Sequence, residues 1–252
     1  MGLPFRWRFI FYILLYMLYI VPTPIGNLRD ITLRALDVLQ TADVILCEDT
    51  RRTQTLLTHF QISKPLQRYN ENDDRSVRRC VELLQAGKNC ALVSDCGTPC
   101  ISDPGWKLVR EAVQAGVAVT SLPGPSAVAC ALAGAGLTGG AFTFLGFLPR
   151  KPGKAAKLLT QAASLHHPVV VYESPYRVIK MLALIAKTLG PQTPVVAARE
   201  ISKVYEEYLR GTAQELADIF AKRPKVQGEF VLMIDCFKNT LAEDADDEHA
   251  DF

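Results

Sequence analysis

Short apolar runs of strand length alternate with helix-periodic segments along nearly the whole chain, and most early runs lead straight into a polar loop bearing glycine or proline. That alternation constrains the fold more than any other feature, because strands separated by helices build α/β architecture with parallel sheets. "LYIV" (Leu18 to Val21), "DVILC", "NCALVS" and "VAVTSL" read as buried strands, and "FTFLGF", "PVVVYES", "PVVAARE" and "EFVLMIDC" continue the series. Between them "DITLRALDVLQ" offers Asp30 as a cap and lines Leu33, Leu36 and Leu39 along one face. "DDRSVRRCVELLQAG" does the same with Val77, Cys80, Val81 and Leu84 and stops at Gly87. "DPGWKLVREAVQAG" opens with Asp103 as N-cap and Pro104 at the first helical position, and closes at Gly116. "PGPSAVACALAGAG" predicts a helix capped by Ser126; "PYRVIKMLALIAKTLG" and "TAQELADIFAKR" predict two more.

With 252 residues, 49% of them hydrophobic, the chain can bury a real core as one large or two small domains. The small-residue passage "AGAGLTGGA" interrupts the pattern, so a boundary is expected near Leu137. The expected divisions are an apolar extension (1–17), an N-terminal α/β domain (18–136), a C-terminal α/β domain (137–238) and an acidic disordered tail (239–252). No repeat of solenoid period is present. The tail carries six acids; without them 28 basic residues face 20 acidic ones, a net charge of +8 that suits a polyanionic partner or an ordinary solvated surface. The apolar run from Phe9 to Val21 behind Arg6 and Arg8 is shorter than the ~20 residues of a membrane span, and no small-residue cleavage site follows it. A cytoplasmic protein is expected, with the extension either touching a membrane through residues 5–17 or arising from an upstream start codon.

The chemistry-bearing loops share one position. "PTPIGN", "EDTRR", "SDCGTP" and "PGPS" each follow a predicted strand, and in parallel sheets ligands bind outside the carboxyl ends of the strands. Turn residues alone explain one such loop easily and four together poorly. There is no G-x-x-x-x-G-K-[ST] phosphate loop and no G-x-G-x-x-G dinucleotide fingerprint. His59, His166, His167 and His249 show no zinc-ligand spacing. "SDCGTPCISDPG" holds Cys96 and Cys100, whose spacing with Cys90 fits neither zinc ribbons nor ferredoxin runs, so no metal is expected and the cysteines read as small residues at tight turns. Cys47, Cys80, Cys90 and Cys236 lie in apolar runs and read as buried hydrophobes. Asp95 reads as a loop-orienting acceptor. Basic residues gather at Arg51 and Arg52, and again in "PRKPGKAAK", where Arg150, Lys151, Lys154 and Lys157 form a mobile arm able to touch phosphates or a plain solvated loop.

Taken together, "LYIVPTPIGNLRDIT", "CEDTRRT", "ALVSDCGTPCISDPG", "LPGPSA", "GFLPRK", "VYESPYR", "AREISKVYEE" and "GEFVLMI" resemble the tetrapyrrole-methylase superfamily in order from about Leu18 to about Asp235, and within it the branch that methylates small-subunit ribosomal RNA. The resemblance implies two α/β lobes of the class III methyltransferase type with the active-site cleft between them, S-adenosylmethionine as methyl donor, and a homodimer. The implied acceptor is the 2′-hydroxyl of a cytidine ribose in the decoding centre of 16S rRNA in the small ribosomal subunit. Carried over by position, the cofactor cradle comprises Pro24, Ile25, Gly26, Asp95, Gly97, Thr98, Pro99, Ser126, Ala127, Tyr172, Ala198 and Gly228. Glu48, Asp49, Arg51, Glu173, Arg199, Glu200, Lys203 and Glu206 are assigned to the acceptor side, and Arg51, Arg52, Arg150, Lys151 and Lys154 to RNA. The family's His-rich "HEHN"-like segment is replaced here by "YNEND" at Tyr69 to Asp73, and the N-terminal extension lies outside the family pattern.

Methyl transfer from a sulfonium needs alignment and exclusion of water, and a ribose hydroxyl benefits from a base. Glu48, Asp49, Glu200 and Lys203 all remain candidates for that base. Two rival functions stand beside this one: a tetrapyrrole C-methyltransferase of the same superfamily, which has no use for the arginine pair, and a non-catalytic RNA-binding or membrane-associated protein.

Overall fold

A computed structural model describes residues 16–137 and 140–237. The chain forms two compact units that divide between Ala127 and Val128.

The first unit is a five-stranded sheet in the order β3-β2-β4-β1-β5, built from β1 (Met17–Val21), β2 (Val44–Cys47), β3 (Leu66–Arg68), β4 (Cys90–Val93) and β5 (Ala118–Ser121). All its pairings are parallel, with Leu18 opposite Cys90 and Met17 opposite Ala118. Period-2 alternation assigns the side chains to two cores. Leu18, Ile20, Leu46, Cys90 and Leu92 pack with Val77, Cys80 and Leu84 of α3 (Asp74–Gln85) and with Leu108 and Ala112 of α4 (Trp106–Gln114). Val21, Ile45, Cys47, Ala91 and Val93 pack with Ala35 and Leu39 of α1 (Leu33–Thr41) and Leu57 of α2 (Thr50–His59). Each fully buried Leu or Ile contributes about 2 kcal/mol, and neither face is left open to water.

Strand order fixes where a ligand can sit. From β1 the chain crosses to β2 on one side, and from β4 it crosses to β5 on the other. The adjacent β1 and β4 therefore flank the topological switch point, outside whose carboxyl ends open α/β sheets leave a crevice.

The second unit holds β6 (Thr143–Phe147), β7 (Val169–Glu173), β8 (Pro194–Arg199), β9 (Glu207–Thr212) and β10 (Phe230–Ile234) in the order β6-β7-β10-β8-β9. Only β6 and β7 run parallel; the remaining pairs are antiparallel. The all-parallel expectation therefore holds for the first sheet and is corrected for the second. The reason is β9, whose "EYLRGT" lacks a continuous apolar run and lies at the sheet edge, with polar and half-buried positions. The short β3 was missed on the same grounds. α6 (Pro152–Ala163), α7 (Val178–Leu189) and α8 (Ala213–Ala221) supply Ala155, Leu159, Leu182, Ile185, Leu216 and Phe220 to one core.

Several local expectations are corrected. The cap of α1 is Thr32, not Asp30, because Leu28–Asp30 is taken up in a 3-10 turn that Asn27 caps; Leu33 is then 81% exposed while Ala35 and Leu39 are buried. α4 starts at Trp106 behind Gly105, not at Asp103-Pro104, because the Pro104 carbonyl is turned back to accept the Cys100 N–H. The expected mobile arm is the start of α6: Pro152 opens the helix, Ala155, Leu159 and Ala162 face the core, and Lys154 and Lys157 remain exposed. The division at Ala127 precedes the expected boundary near Leu137, since α5 (Ala127–Ala135) is tied to β9. Tyr208 donates to the Cys130 carbonyl, and Arg210 donates to the carbonyls of Gly134 and Ala135. The expected disordered tail and nearly all of the apolar extension lie outside the described residues. Among the described residues no helix is long and apolar enough to cross a membrane.

Candidate active site

The loops after β1, β4 and β5 interlock at the switch point. Thr23 and Gly97 form an antiparallel bridge, each N–H donating to the other's carbonyl at 2.9 and 3.0 Å. The Thr23 hydroxyl donates to the Ser94 carbonyl at 3.0 Å, and the Ser94 hydroxyl donates to the Gly97 carbonyl at 2.9 Å. Both side chains are buried, at 3% and 7% exposure. Thr98 extends the lattice to the fifth strand's loop through its hydroxyl, 2.9 Å from the Pro125 carbonyl. Gly124 packs so closely on Pro22 that an added Cβ would stand 2.7 Å from the ring. Polar backbone in these loops is thus satisfied by neighbouring loops, which presets their shape without a ligand.

Gly97 has φ of 88°, and a Cβ there would lie 3.3 Å from Ile25 Cγ2 and 3.8 Å from the Pro125 carbonyl. The position needs glycine both for its left-handed backbone and for close approach of another group. Of the expected cradle residues, Pro24, Ile25, Asp95, Gly97, Thr98 and Pro99 are brought together by these loops, with Gly26 exposed at their rim. Ser126 and Ala127 follow Pro125 directly, at the start of α5.

The second loop lies along the same edge. Asp49 caps α2, its Oδ1 accepting the Arg51 N–H at 2.9 Å, and Arg51 returns its guanidinium to both carboxylate oxygens at 3.2 and 3.0 Å. Those Arg51 contacts hold the Asp49 carboxyl down at about 2. Arg52 stands 3.5 Å from Asp95, linking the second loop to the third. The two line an open pocket of about 270 Å³ with Thr23, Pro24, Leu28, Thr55 and Leu56. Glu48 is exposed and, among the described residues, has no hydrogen bond or ion pair.

In the second unit, Val231 of β10 pairs with Tyr172 on one side and Ala198 on the other, so these two expected cofactor residues share one line across the sheet. Phe144 and Phe147 pack edge-on against Tyr172 at 4.9 and 5.6 Å. Gly228, with φ of 95°, makes room for Glu200, whose Cγ would be 2.5 Å from a Cβ. Glu200 has φ of 52°, and its Oε1 accepts from Lys203 Nζ and the Glu229 N–H, both at 2.9 Å. Burial pushes the Glu200 carboxyl up, but Lys203 and the Glu229 N–H outweigh it and leave it below the usual range. Burial likewise works against the Lys203 ammonium, yet Glu229 and Glu200 hold its proton more tightly than usual. Glu206 accepts the Ser202 N–H, and Arg199 binds the Gln227 and Tyr205 carbonyls and Glu207. Glu173 is buried at 2% exposure; its Oε1 accepts the Ser174 N–H, and its Oε2 lies 3.3 Å from Arg177 in an ion pair without hydrogen-bond geometry. Arg150, Lys151 and Lys154 are exposed at the start of α6.

The cysteines supply packing and a few thiol hydrogen bonds to nearby carbonyls. Cys47, Cys80 and Cys90 are fully buried and Cys236 partly so. Burial pushes the thiols up, to about 12 for Cys80 and about 11 for Cys90, Cys100 and Cys236, which disfavours thiolate. Cys96 Sγ lies 3.6 Å from the Ile25 carbonyl. Among the described residues no group of three or more His, Cys, Asp or Glu is placed to hold a metal. Sequence reasoning missed Thr23 and Ser94, whose only signal was a small hydroxyl at the end of a buried strand. It also missed the Glu207–Arg223 pair, which gives no local signal.

A family model described as Tetrapyrrole (Corrin/Porphyrin) Methylases matches residues 17–217. Among similar curated proteins, a "Ribosomal RNA small subunit methyltransferase I" of Hydrogenobaculum sp. is 41% identical over 230 residues, 90% of this chain and 99% of that protein. Its namesake in Thermotoga maritima is 44% identical over 219 residues, 86% of this chain and 97% of that one. The Vibrio cholerae namesake is 43% identical over 234 residues, 92% and 81% of the two chains. Among solved structures, a cobalt precorrin-4 methyltransferase superposes with a TM-score of 0.65 at 18% identity, covering 87% of this chain and 94% of that one. A uroporphyrin-III C-methyltransferase from Thermus thermophilus, complexed with S-adenyl homocysteine, gives 0.63 at 18% identity, covering 87% and 98%. At that identity the two structures speak to the fold alone, and it is the same fold. With the switch-point loops, the family match and the near full-length relatives all in agreement, the chain belongs to the tetrapyrrole methylase family, in its ribosomal RNA small subunit methyltransferase I branch.

Proposed function

We propose that this protein is an S-adenosylmethionine-dependent methyltransferase that modifies the 2′-hydroxyl of a cytidine ribose in the decoding centre of 16S rRNA. It acts as a cytoplasmic homodimer on the small ribosomal subunit. The observation that carries the reading is the interlocked Thr23–Gly97 loop pair at the switch point, with Arg51 and Arg52 on the same sheet edge. The names of the near full-length relatives support the acceptor class.

The donor fits the residues present: Gly97, with no Cβ and φ of 88°, presents bare backbone beside Ile25 and the Pro125 carbonyl. Pro24, Ile25, Gly26, Asp95, Gly97, Thr98, Pro99, Ser126 and Ala127 would hold it. When bound, the donor supplies an electrophilic methyl group on a sulfonium. Ser126 opens α5, whose N-terminus favours a carboxylate. The buried Thr23 and Ser94 keep the loops closed against water, so alignment costs little ordering on binding.

The acceptor proton needs a base. Asp49 is bound to Arg51 and holds protons weakly, Glu200 is engaged by Lys203, and Lys203 keeps its own proton. Glu48, whose carboxylate is uncommitted, takes this role in our reading. Arg51, Arg52, Arg150, Lys151 and Lys154 meet RNA phosphates. The test is methylation of small-subunit particles with labelled donor, followed by mapping of the modified nucleotide. Label on a base, or none on RNA, rejects the reading.

A further inference from the structure

Glu71 lies in the "YNEND" segment, outside the four loops, and nothing above gives it a task. Its Oε2 accepts the Gly105 N–H at 2.6 Å, the Tyr69 hydroxyl at 3.3 Å and the Lys107 N–H at 3.4 Å. Gly105 is the N-cap of α4, with φ of 140° and no side chain to cap with. A larger residue is excluded there, because a Cβ would lie 2.7 Å from Cys100 Sγ and 2.9 Å from Leu92 Cδ2. The first turn of α4 therefore takes its capping oxygen from a residue 34 positions earlier in the chain. A carboxylate suits that place, since it satisfies orphan N–H groups and meets the positive end of the helix dipole. The segment is itself anchored: Tyr69 is 1% exposed, and Lys107 Nζ donates to the Glu71 carbonyl at 3.4 Å and to Asp74 at 2.7 Å.

What this cap holds is the far end of the loop that begins at Ser94. Between its ends, Cys100 and Ser102 have φ of 71° and 59°, conformations that side-chain-bearing residues keep only where the surroundings over-determine them. The near end is fixed by the Thr23–Gly97 bridge and by Thr98 on Pro125. The far end has Cys100 N–H on the Pro104 carbonyl and Glu71 on Gly105.

We propose that Glu71 is a positioning residue of the methyl-donor site. By capping α4 from outside, it holds the strained return of the 94–105 loop, so that the backbone at Gly97 and Thr98 is preset before the donor arrives. The proposal rests on reading that loop as the donor cradle, and the experiment separates the two. Donor affinity is measured by calorimetry on wild type, Glu71→Gln and Glu71→Ala well below their unfolding temperatures, with hydrogen exchange followed across residues 94–105. Preorganisation predicts that Glu71→Ala weakens donor binding about tenfold, raises the donor KM alike and leaves kcat at saturating donor within about twofold. Exchange in the loop quickens, and Glu71→Gln, which keeps an acceptor oxygen, restores most of the affinity. Should the alanine variant not fold, Tyr69→Phe removes the hydroxyl that orients Glu71 and is expected to shift donor affinity the same way by about threefold. A wild type that binds donor alongside a folded Glu71→Ala or Tyr69→Phe variant of native affinity overturns the role of Glu71 alone. A wild type that binds no donor overturns the cradle reading and this proposal with it.

Discussion

Thr23 and Gly97 exchange both of their backbone hydrogen bonds, at 2.9 and 3.0 Å, across the point where the connections from β1 and β4 diverge. This single bridge makes two loops, 71 residues apart at Thr23 and Ser94, into one rigid rim. Everything predicted of donor binding depends on that rim keeping its shape.

Gly97→Val tests it directly. A β-branched residue must adopt φ near 88° and press on Ile25 and the Pro125 carbonyl. The strain is about 1 to 3 kcal/mol, and relief requires the Thr23 bridge to open. Calorimetry should register loss of S-adenosylmethionine binding in a protein that still folds; native affinity in Gly97→Val would sink the cradle.

The paired substitution Cys96→Ala with Cys100→Ala should leave donor affinity within about twofold, because the long Cys96 contact to the Ile25 carbonyl at 3.6 Å is secondary to the Thr23–Gly97 bridge and the Cys100 thiol resists ionisation. A stoichiometric metal in the purified protein, or lost binding in the double variant, contradicts this.

Glu48→Gln should leave donor binding intact and lower kcat by about 10² to 10⁴ if Glu48 takes the ribose proton. Single-turnover methylation of small-subunit particles is the measurement, and an unchanged rate would return the base to the other candidates.

Arg51→Ala and Arg52→Ala should weaken RNA binding and each reduce the slope of log affinity against log salt by about 1. Arg52→Ala should have the larger effect on turnover, since Arg52 also lines the pocket with Asp95. A tetrapyrrole-specific enzyme would keep its activity in both variants.

Glu207 accepts two bonds from Arg223, at 2.6 and 3.0 Å, and one from Arg199 at 3.0 Å, and these hold its carboxyl below the ordinary value of 4.5. A lowered folded-state value means that the stabilisation is complete above the unfolded-state pKa and is lost as pH falls from there through the folded one. Glu207→Gln should therefore cost about 1 to 2 kcal/mol at neutral pH, moderated by the 26% exposure of the side chain. Its unfolding temperature should converge on that of wild type as pH falls from the unfolded-state value through the lower folded one. Curves that stay parallel would show that the pair contributes nothing through its charge.

The parallel first sheet was legible in the sequence because every strand of its centre is a continuous apolar run with a helix between it and the next. β4 is buried at all four positions, and such a run has few other places to go. The edge strands β3 and β9 were not legible, since an edge residue needs only one hydrogen-bonding partner and one covered face. The α6 helix was mistaken for an arm because its lysines stand out in sequence, while the alanines at the same spacing, which bury it, do not.

The sequence by itself determined which loops follow which strands, and hence that "PTPIGN", "SDCGTP" and "PGPS" share one edge; chain order and the handedness of strand connections allow little else. Only the tertiary structure decided what holds those loops. Thr23, Ser94 and Glu71 act on partners 71, 3 and 34 positions away, through hydrogen bonds whose geometry exists only after the sheet has formed. The difference is physical: apolar periodicity is a local property of the chain, whereas satisfying a buried polar group is a property of whatever the fold brings beside it.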